Sequence, residues 1–104
     1  MKKIINGKMY NTETADSIGY YSNGDDMGNF NWYAETLCRK KNGEFFLYAE
    51  GGPASPYGVS CDPSDRWFRS GSTIVPMTID EAKCWAERCI DADKYIEVFG
   101  EVEE

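Results

Sequence analysis

A chain of 104 residues, 41% of them hydrophobic and 14% aromatic, is long enough to fold as one domain, residues 1–104, around a modest core. Its net charge of −7 argues against direct binding to a nucleic-acid backbone, because such binding needs clustered lysines and arginines. The sequence contains no run of about 18 apolar residues, so no membrane span is expected. The apolar stretch after the first lysines is too short for a signal peptide, which predicts a cytoplasmic protein.

Two Asn-Gly pairs predict β-hairpins, because Asn-Gly between apolar residues favours tight turns in which both central residues have positive φ. The pairs are Asn6-Gly7 and Asn42-Gly43, and the predicted strands are residues 2–5, 8–10, 31–41 and 44–50. With a two-residue turn in the second hairpin, Cys38 lies opposite Leu47, and Leu37 lies opposite Tyr48. Leu37 and Tyr48 then share one face with Phe46. Both faces are partly apolar. One is expected to pack on a helix, and the other is either ordinary core or a surface for a partner or dimer mate.

A short helix of about two turns is predicted between the hairpins, over residues 11–19. Asn11 or Thr12 can cap its N-terminus and Gly19 can end it. The polar loop at residues 22–29 contains two aspartates. It lacks the alternating spacing and the distal glutamate of an EF-hand calcium loop, so a plain loop is the preferred interpretation.

The loop after the second hairpin contains an aromatic pair, Trp67-Phe68, between Arg66 and Arg69. Tryptophan and arginine often dominate the binding energy of protein interfaces. Trp67 and Phe68 are therefore candidate partner-binding residues. The alternative interpretation is that they tie a long loop to the core.

A strand and two helices are predicted next, at residues 72–77, 79–90 and 91–100, followed by an acidic tail at about 101–104. Thr78 and Glu81 have the spacing of a capping box, and Asp91 can cap the second helix, which Gly100 can end. The first helix has an apolar stripe with Trp85 at its centre, formed by Ala82, Trp85, Ala86 and Cys89. Trp85 is therefore predicted to be among the most buried residues.

These elements together predict an α+β fold. Its small antiparallel sheet is built from the two Asn-Gly hairpins plus one further strand. The sheet is packed against the C-terminal amphipathic helix and one short N-terminal helix.

The segment from residue 80 to residue 104 carries nine carboxylates and three basic residues, a net charge of about −6. Such a surface repels nucleic acid and attracts basic protein surfaces. The candidate partner-binding residues of this segment are Glu87, Asp91, Asp93 and Glu97. The alternative is a solvated helix face with a frayed acidic tail.

The chain contains no histidine, which removes the commonest general base and metal ligand. No catalytic residue, metal site or cofactor is predicted, and the chain is predicted not to be an enzyme. Four cysteines occur without a CxxC pair, which disfavours a zinc site. Cys38 and Cys89 are interpreted as small, reduced core residues.

Several segments carry a resemblance to a known group of proteins. They include residues 1–8 (MKKIINGK), 39–48 (RKKNGEFFLY), 50–52 (EGG), 91–95 (DADKY) and 99–104 (FGEVEE). These segments resemble a family of small acidic proteins carried by phages and mobile elements of gut Gram-positive bacteria. The resemblance covers most of the chain and is loosest over residues 57–71.

Small acidic proteins of this kind include anti-CRISPR inhibitors. The resemblance implies a DNA-mimic type of inhibitor that binds an RNA-guided nuclease complex, a host Cas protein, through an acidic surface. Binding would block the nuclease complex from binding or cleaving nucleic acid. No catalytic residues and no cofactor come with the resemblance. The alternative is a non-enzymatic mobile-element domain that forms a homodimer or binds another host protein.

Overall fold

The computed structural model describes residues 1–24, 29–60 and 68–104. The strands in these residues are β1 (Lys2–Ile5), β2 (Lys8–Asn11), β3 (Asp16–Ser22), β4 (Tyr33–Arg39), β5 (Phe45–Gly51), β6 (Val59–Ser60), β7 (Phe68–Arg69) and β8 (Gly71–Met77). The helices are α1 (Ile79–Cys89) and α2 (Ala92–Phe99). The predicted α+β class, with antiparallel strands and C-terminal helices, is confirmed.

The main sheet has four antiparallel strands in the order β3-β4-β5-β8. The first Asn-Gly hairpin forms as predicted, but β1 and β2 pair only with each other in the described residues, and β6 with β7 forms a second small ribbon. The prediction that both hairpins build one sheet is therefore wrong. The further strand predicted at residues 72–77 does join the main sheet as β8, and β3 takes the place expected for the first hairpin.

The turn of the second hairpin is longer than the predicted two residues. The Lys40 amide donates to the Glu44 carbonyl at 2.8 Å, and the Gly43 amide donates to the Lys40 carbonyl at 2.9 Å. Gly43 has a φ of 93°, a left-handed conformation that favours glycine. The connection therefore has three residues, 41–43, a length that commonly ends in a left-handed glycine.

This longer connection shifts the pairing of β4 with β5 by one residue. Leu37 lies opposite Leu47, and Cys38 lies opposite Phe46, so the predicted register is wrong. Because neighbouring residues of a strand point to opposite faces, a one-residue shift changes which residues share a face. Leu37 and Leu47 now pack with Phe45 on one side of the main sheet, and Cys38 and Phe46 pack on the other.

The side of the main sheet that faces α1 and α2, here called the helix side, holds the larger core cluster. Its buried members are Ile18, Leu37, Phe45, Leu47, Ala82, Trp85 and Ala86. Trp85 is only 3% exposed, which confirms that the apolar stripe of α1 faces the core. Phe99 of α2 extends the cluster, with its ring 5.3 Å from the ring of Phe45.

The opposite side of the main sheet is partly covered by the β1–β2 hairpin. Tyr10 is 5% exposed and packs edge to face on Phe46, with ring centroids 5.5 Å apart. The Lys40 ammonium lies 3.8 Å from the centre of the Tyr10 ring, a cation–π arrangement. This second cluster, which also contains Cys38 and Ile74, occupies part of the sheet face that the sequence left open for a dimer mate.

The predicted N-terminal helix is wrong, because residues 16–22 form β3. Asn11 does organise a turn: its carbonyl accepts from the Ala15 amide at 3.2 Å, and its side chain accepts from the Glu13 amide at 3.0 Å. The turn stops there, and the chain pairs with β4 from Asp16 onward. Sheet pairing and burial of Ile18 override a weak helical pattern.

Gly19 also has a different role from the predicted helix terminator. It lies within β3, and a Cβ atom added there would come within 2.5 Å of the Ile90 side chain and 3.4 Å of the Trp85 ring. The missing side chain therefore allows α1 to lie close to β3.

The start signals of both helices and the end signal of α2 are confirmed. The Thr78 side chain accepts from the Glu81 amide at 3.1 Å, and the Glu81 carboxylate accepts from the Thr78 amide at 2.9 Å. Asp91 caps α2 by accepting from the Lys94 amide at 2.8 Å. Gly100 ends α2 with a φ of 96°.

We expect Thr78→Ala to lower the free energy of unfolding by about 0.5–2 kcal/mol, because the substitution leaves a first-turn amide of α1 without its acceptor. Urea unfolding followed by circular dichroism measures this change. Thr78→Ser keeps the hydroxyl and should stay closer to the parent. Equal losses in Thr78→Ser and Thr78→Ala would contradict the capping role.

Candidate functional site

The four acidic candidates lie at exposed positions around the two C-terminal helices. We call Glu87, Asp91, Asp93 and Glu97 the acidic surface. Glu87 follows Trp85 by two residues, which places it about 200° around α1 and away from the core. Asp93 and Glu97 are four residues apart on α2 and share one face. The helices therefore present these carboxylates to solvent.

Few cations neutralise the acidic surface. Within the described residues, its ion pair is Lys94 with Glu97, whose charged atoms are 3.6 Å apart, and the Glu97 side chain is 71% exposed. An exposed pair of this kind contributes little and is screened by salt. The surface therefore keeps most of its negative charge.

Asp91 differs from its three acidic neighbours because its side chain has a structural partner. Its Oδ1 accepts from the Lys94 amide at the start of α2. Replacing Asp91 would therefore weaken α2 as well as remove a charge. Glu87, Asp93 and Glu97 are the residues at which charge can be changed with less effect on the fold.

An apolar groove lies between α1 and α2, beside the acidic surface. Its volume is about 420 Å³, and its lining includes Ala86, Ile90, Tyr95, Ile96 and Val102, with Glu87 and Glu103. Val102 and Glu103 belong to the acidic tail, for which fraying is the alternative interpretation, and both line this groove. A partner at this position would meet both carboxylates and apolar side chains.

The aromatic candidates stand apart from these helices. Phe68 is 45% exposed and lies on β7, where it pairs with Ser60 of β6. The structure thus places Phe68 on a small ribbon, where the sequence predicted a loop. Trp67 lies outside the described residues, as do the aspartates of the loop at residues 22–29.

A second cavity, which sequence reasoning missed, lies on the helix side of the main sheet. Its volume is about 510 Å³. We call it the tyrosine cleft and define it by Tyr21, Tyr33, Glu35, Tyr57, Trp85 and Arg88. All four strands of the main sheet contribute to it, together with the loop after β5 and the flank of α1 that lies away from α2.

Glu35 is the central polar residue of the tyrosine cleft. Its Oε1 accepts from the Trp85 indole N–H at 3.0 Å, and its Oε2 accepts a short hydrogen bond from the Tyr57 hydroxyl. Burial, and then the bond to Glu35, raise the pKa of Tyr57 well above its usual value. Tyr57 therefore stays a neutral donor under ordinary conditions.

The tyrosine rings of the cleft form a connected wall. The ring centroids of Tyr21 and Tyr33 are 6.1 Å apart, and those of Tyr33 and Tyr57 are 6.0 Å apart. Burial is the main cause that raises the pKa of Tyr33, followed by its interaction with Tyr21. The wall therefore presents neutral aromatic rings next to a carboxylate.

The cysteines occupy three different environments in the described residues. Cys38 is buried, as predicted, Cys89 is half-buried against the core, and Cys84 is exposed. Burial raises the pKa of the Cys38 thiol, which lowers its reactivity as a nucleophile. Cys61 lies outside the described part of the chain. In that described part, no cluster of cysteine and carboxylate side chains has the geometry of a metal site.

Neither helix of the described residues has the length and the apolar content needed to cross a bilayer.

Comparison of the chain with known protein families, with curated proteins and with solved structures finds no match. The resemblance to small acidic proteins of phages and mobile elements therefore remains a prediction from the sequence.

Proposed function

We propose that this chain is a non-catalytic inhibitor of an RNA-guided nuclease complex. It binds the protein through the acidic surface and thereby blocks the binding or cleavage of nucleic acid. The observation that carries the proposal is the exposed, weakly neutralised set of carboxylates on α1 and α2. The sequence resemblance supplies the class of partner, a host CRISPR effector in the bacterial cytoplasm.

The electrostatics of the partner class support the acidic surface as the contact. RNA-guided nucleases hold nucleic acid in positively charged channels and read a short adjacent motif with arginines. Those basic surfaces are exposed before nucleic acid binds. An acidic helical surface can occupy them and exclude the phosphate backbone, and complementary charge speeds the encounter.

The groove between α1 and α2 supports a protein partner over a simple counter-ion. Specific interfaces combine an apolar centre with a polar rim. Here Ile90, Tyr95 and Ile96 line the groove, and Glu87 and Glu103 lie with them. A basic protein surface with one or two apolar side chains would match this arrangement better than lysines alone.

The test begins with a pull-down from a lysate of a bacterial host that carries a CRISPR system, with the chain as bait. A captured nuclease is then purified, loaded with guide RNA and assayed for cleavage of its target. We expect capture of the nuclease and inhibition that saturates near one chain per complex, as a binding inhibitor requires. Inhibition at a small fraction of that ratio would point to an enzyme. Capture of no nuclease, or full cleavage by a captured nuclease at excess chain, would overturn the proposal.

Ionic strength provides a further expected result. Raising the salt from about 0.05 M to about 0.5 M should weaken binding, mainly by slowing association, because salt screens attraction between exposed charges. Surface plasmon resonance with immobilised nuclease gives both rate constants. An association rate that does not change with salt would contradict binding through the acidic surface.

A further inference from the structure

We infer that the tyrosine cleft binds an arginine side chain of a partner protein, with Glu35 as its counter-ion between the tyrosine rings. The cleft shares no lining residue with the groove beside the acidic surface, so it forms a distinct contact. The inference rests on the geometry of the cleft and does not depend on the identity of the proposed nuclease.

Glu35 carries the negative charge of the cleft. Its side chain is half-buried and forms no ion pair with any residue in the described ranges 1–24, 29–60 and 68–104. Its two hydrogen-bond donors, Tyr57 and Trp85, are both neutral. Carboxylates removed from water are usually paired with a cation. Glu35 thus brings to the cavity a negative charge that no cation of the described residues pairs with.

The Glu35 carboxylate can also accept more hydrogen bonds than the described residues donate to it. A carboxylate offers about four acceptor positions, and the bonds from Tyr57 and Trp85 occupy one on each oxygen. Within residues 1–24, 29–60 and 68–104, one further acceptor position therefore remains on each oxygen. A donor with two parallel N–H groups matches that pair of positions.

The aromatic wall of the cleft also favours a cation. The faces of Tyr21, Tyr33 and Tyr57 carry the negative side of their ring quadrupoles, which attracts cations. All three tyrosines line the same cavity, and the Tyr21–Tyr33 and Tyr33–Tyr57 ring centroids are 6.1 Å and 6.0 Å apart. An anionic ligand would meet both the ring faces and Glu35, so the cleft selects against it.

Arginine fits the cleft better than lysine. Its guanidinium is flat, stacks on aromatic rings and donates two parallel hydrogen bonds to a carboxylate. Lysine carries a compact, strongly hydrated charge that is costlier to bring into a partly buried site. The occupant is therefore an arginine side chain presented by a basic protein surface.

Arg88 is the internal competitor for this position. It also lines the cleft, but it is exposed, and its Nε donates to the Cys84 carbonyl of its own helix at 3.4 Å. It forms no ion pair with a carboxylate in the part of the chain that the structure describes. If Arg88 were the partner of Glu35, the cleft would be filled from within, and the experiment must separate these two cases.

The experiment is a nuclear magnetic resonance titration of the ¹⁵N-labelled chain with N-acetylarginine amide. N-acetylcitrulline amide serves as the matched probe, because citrulline has nearly the same shape without the charge. The signal to follow is the Trp85 indole N–H, assigned by its loss in Trp85→Phe. We expect the arginine probe to give a saturable chemical-shift change. The citrulline probe should bind with an affinity at least about tenfold lower, because it cannot form the charge-assisted pair.

Three variants complete the test. Glu35→Gln should weaken binding of the arginine probe by about tenfold or more. Glu50→Gln is the matched control, since Glu50 also accepts from a tyrosine, Tyr48, but lies on the opposite side of the main sheet. It should bind as the parent does. Arg88→Gln should bind the probe as tightly as the parent or more tightly, because it removes a like charge.

Two results would overturn the inference. Equal affinity for the arginine and citrulline probes would show that charge plays no part in the cleft. Binding of arginine only by Arg88→Gln would show that Arg88 is the counter-ion of Glu35 in the parent. Neither result depends on whether the chain inhibits a nuclease, so the two proposals can fail separately.

Discussion

Trp85→Ala is expected to lower the free energy of unfolding by about 3–5 kcal/mol, the usual cost of emptying a large aromatic site in a core. Trp85 is 3% exposed and packs α1 against the main sheet together with Ile18 and Leu47. Its loss also leaves one oxygen of Glu35 without a donor. Urea unfolding followed by circular dichroism measures the change, and an unchanged midpoint would contradict the placement of α1.

Trp85→Phe separates packing from hydrogen bonding at the same position. Phenylalanine keeps a large ring but lacks the indole N–H that Glu35 accepts. The expected loss is smaller than for Trp85→Ala, because most of the apolar volume remains. Part of it comes from the unmatched acceptor, about 1–3 kcal/mol where such a group stays shielded from water. A loss as large as that of Trp85→Ala would show that the hydrogen bond, and not the burial, dominates.

Phe46→Ala is the second large expected effect, again about 3–5 kcal/mol. Phe46 is fully buried on the side of the main sheet that the β1–β2 hairpin covers. The substitution also removes the edge-to-face contact with Tyr10. Because an isolated two-stranded hairpin is marginal in water, we expect β1 and β2 to lose protection as well as the whole chain to lose stability.

Hydrogen exchange measured by mass spectrometry tests both parts of this expectation. Phe46→Ala should speed exchange in residues 2–11 more than in α1. Phe46→Leu keeps apolar volume beneath Tyr10 and serves as the control, with a smaller change in both regions. Faster exchange spread evenly over the chain would show that the hairpin does not depend on Phe46 for its attachment.

Both C-terminal helices could be predicted from the sequence because their signals are local. The capping residues Thr78, Glu81 and Asp91 act on amides within three residues of themselves. The stripe around Trp85 repeats within one helix. Such features need no knowledge of the rest of the chain.

The errors in the sheet arose where distant residues decide the structure. Asn11 begins a turn as a helix cap does, but the pairing of β3 with β4 ends it after one turn. In the second hairpin, one additional loop residue before Glu44 changes the register of the whole pair. Asn42-Gly43 is compatible with both loop lengths, so the adjacent sequence does not choose between them.

The two candidate sites differ in the same way. The acidic surface follows from counting charges on predicted helices, so the exposed position of its residues could be predicted, while their role in binding stays a prediction. The tyrosine cleft combines β3, β4, a loop residue and α1, which no local pattern connects. One signal was present: Tyr33 and Glu35 are two residues apart on a predicted strand and so share a face. A carboxylate that shares a strand face with an aromatic ring indicates that a cation could bind beside both.

The central claim is that the acidic surface inhibits the nuclease, and charge neutralisation tests it most directly. The variant carries Glu87→Gln, Asp93→Asn and Glu97→Gln together. Asp91 stays in place because it caps α2. The matched control carries Glu13→Gln, Asp16→Asn and Glu44→Gln, which change the net charge by the same amount. These residues lie between β2 and β3, at the start of β3, and between β4 and β5. Circular dichroism confirms that both variants remain folded.

The measurement is the concentration of each protein that halves target cleavage by the guide-loaded nuclease. If the acidic surface is the contact, the first variant should need at least about tenfold more protein than the parent, mainly because association slows. The control should inhibit nearly as well as the parent. Inhibition by the first variant at the parent's concentration, or an equal loss in both variants, would contradict the claim that this surface binds the nuclease.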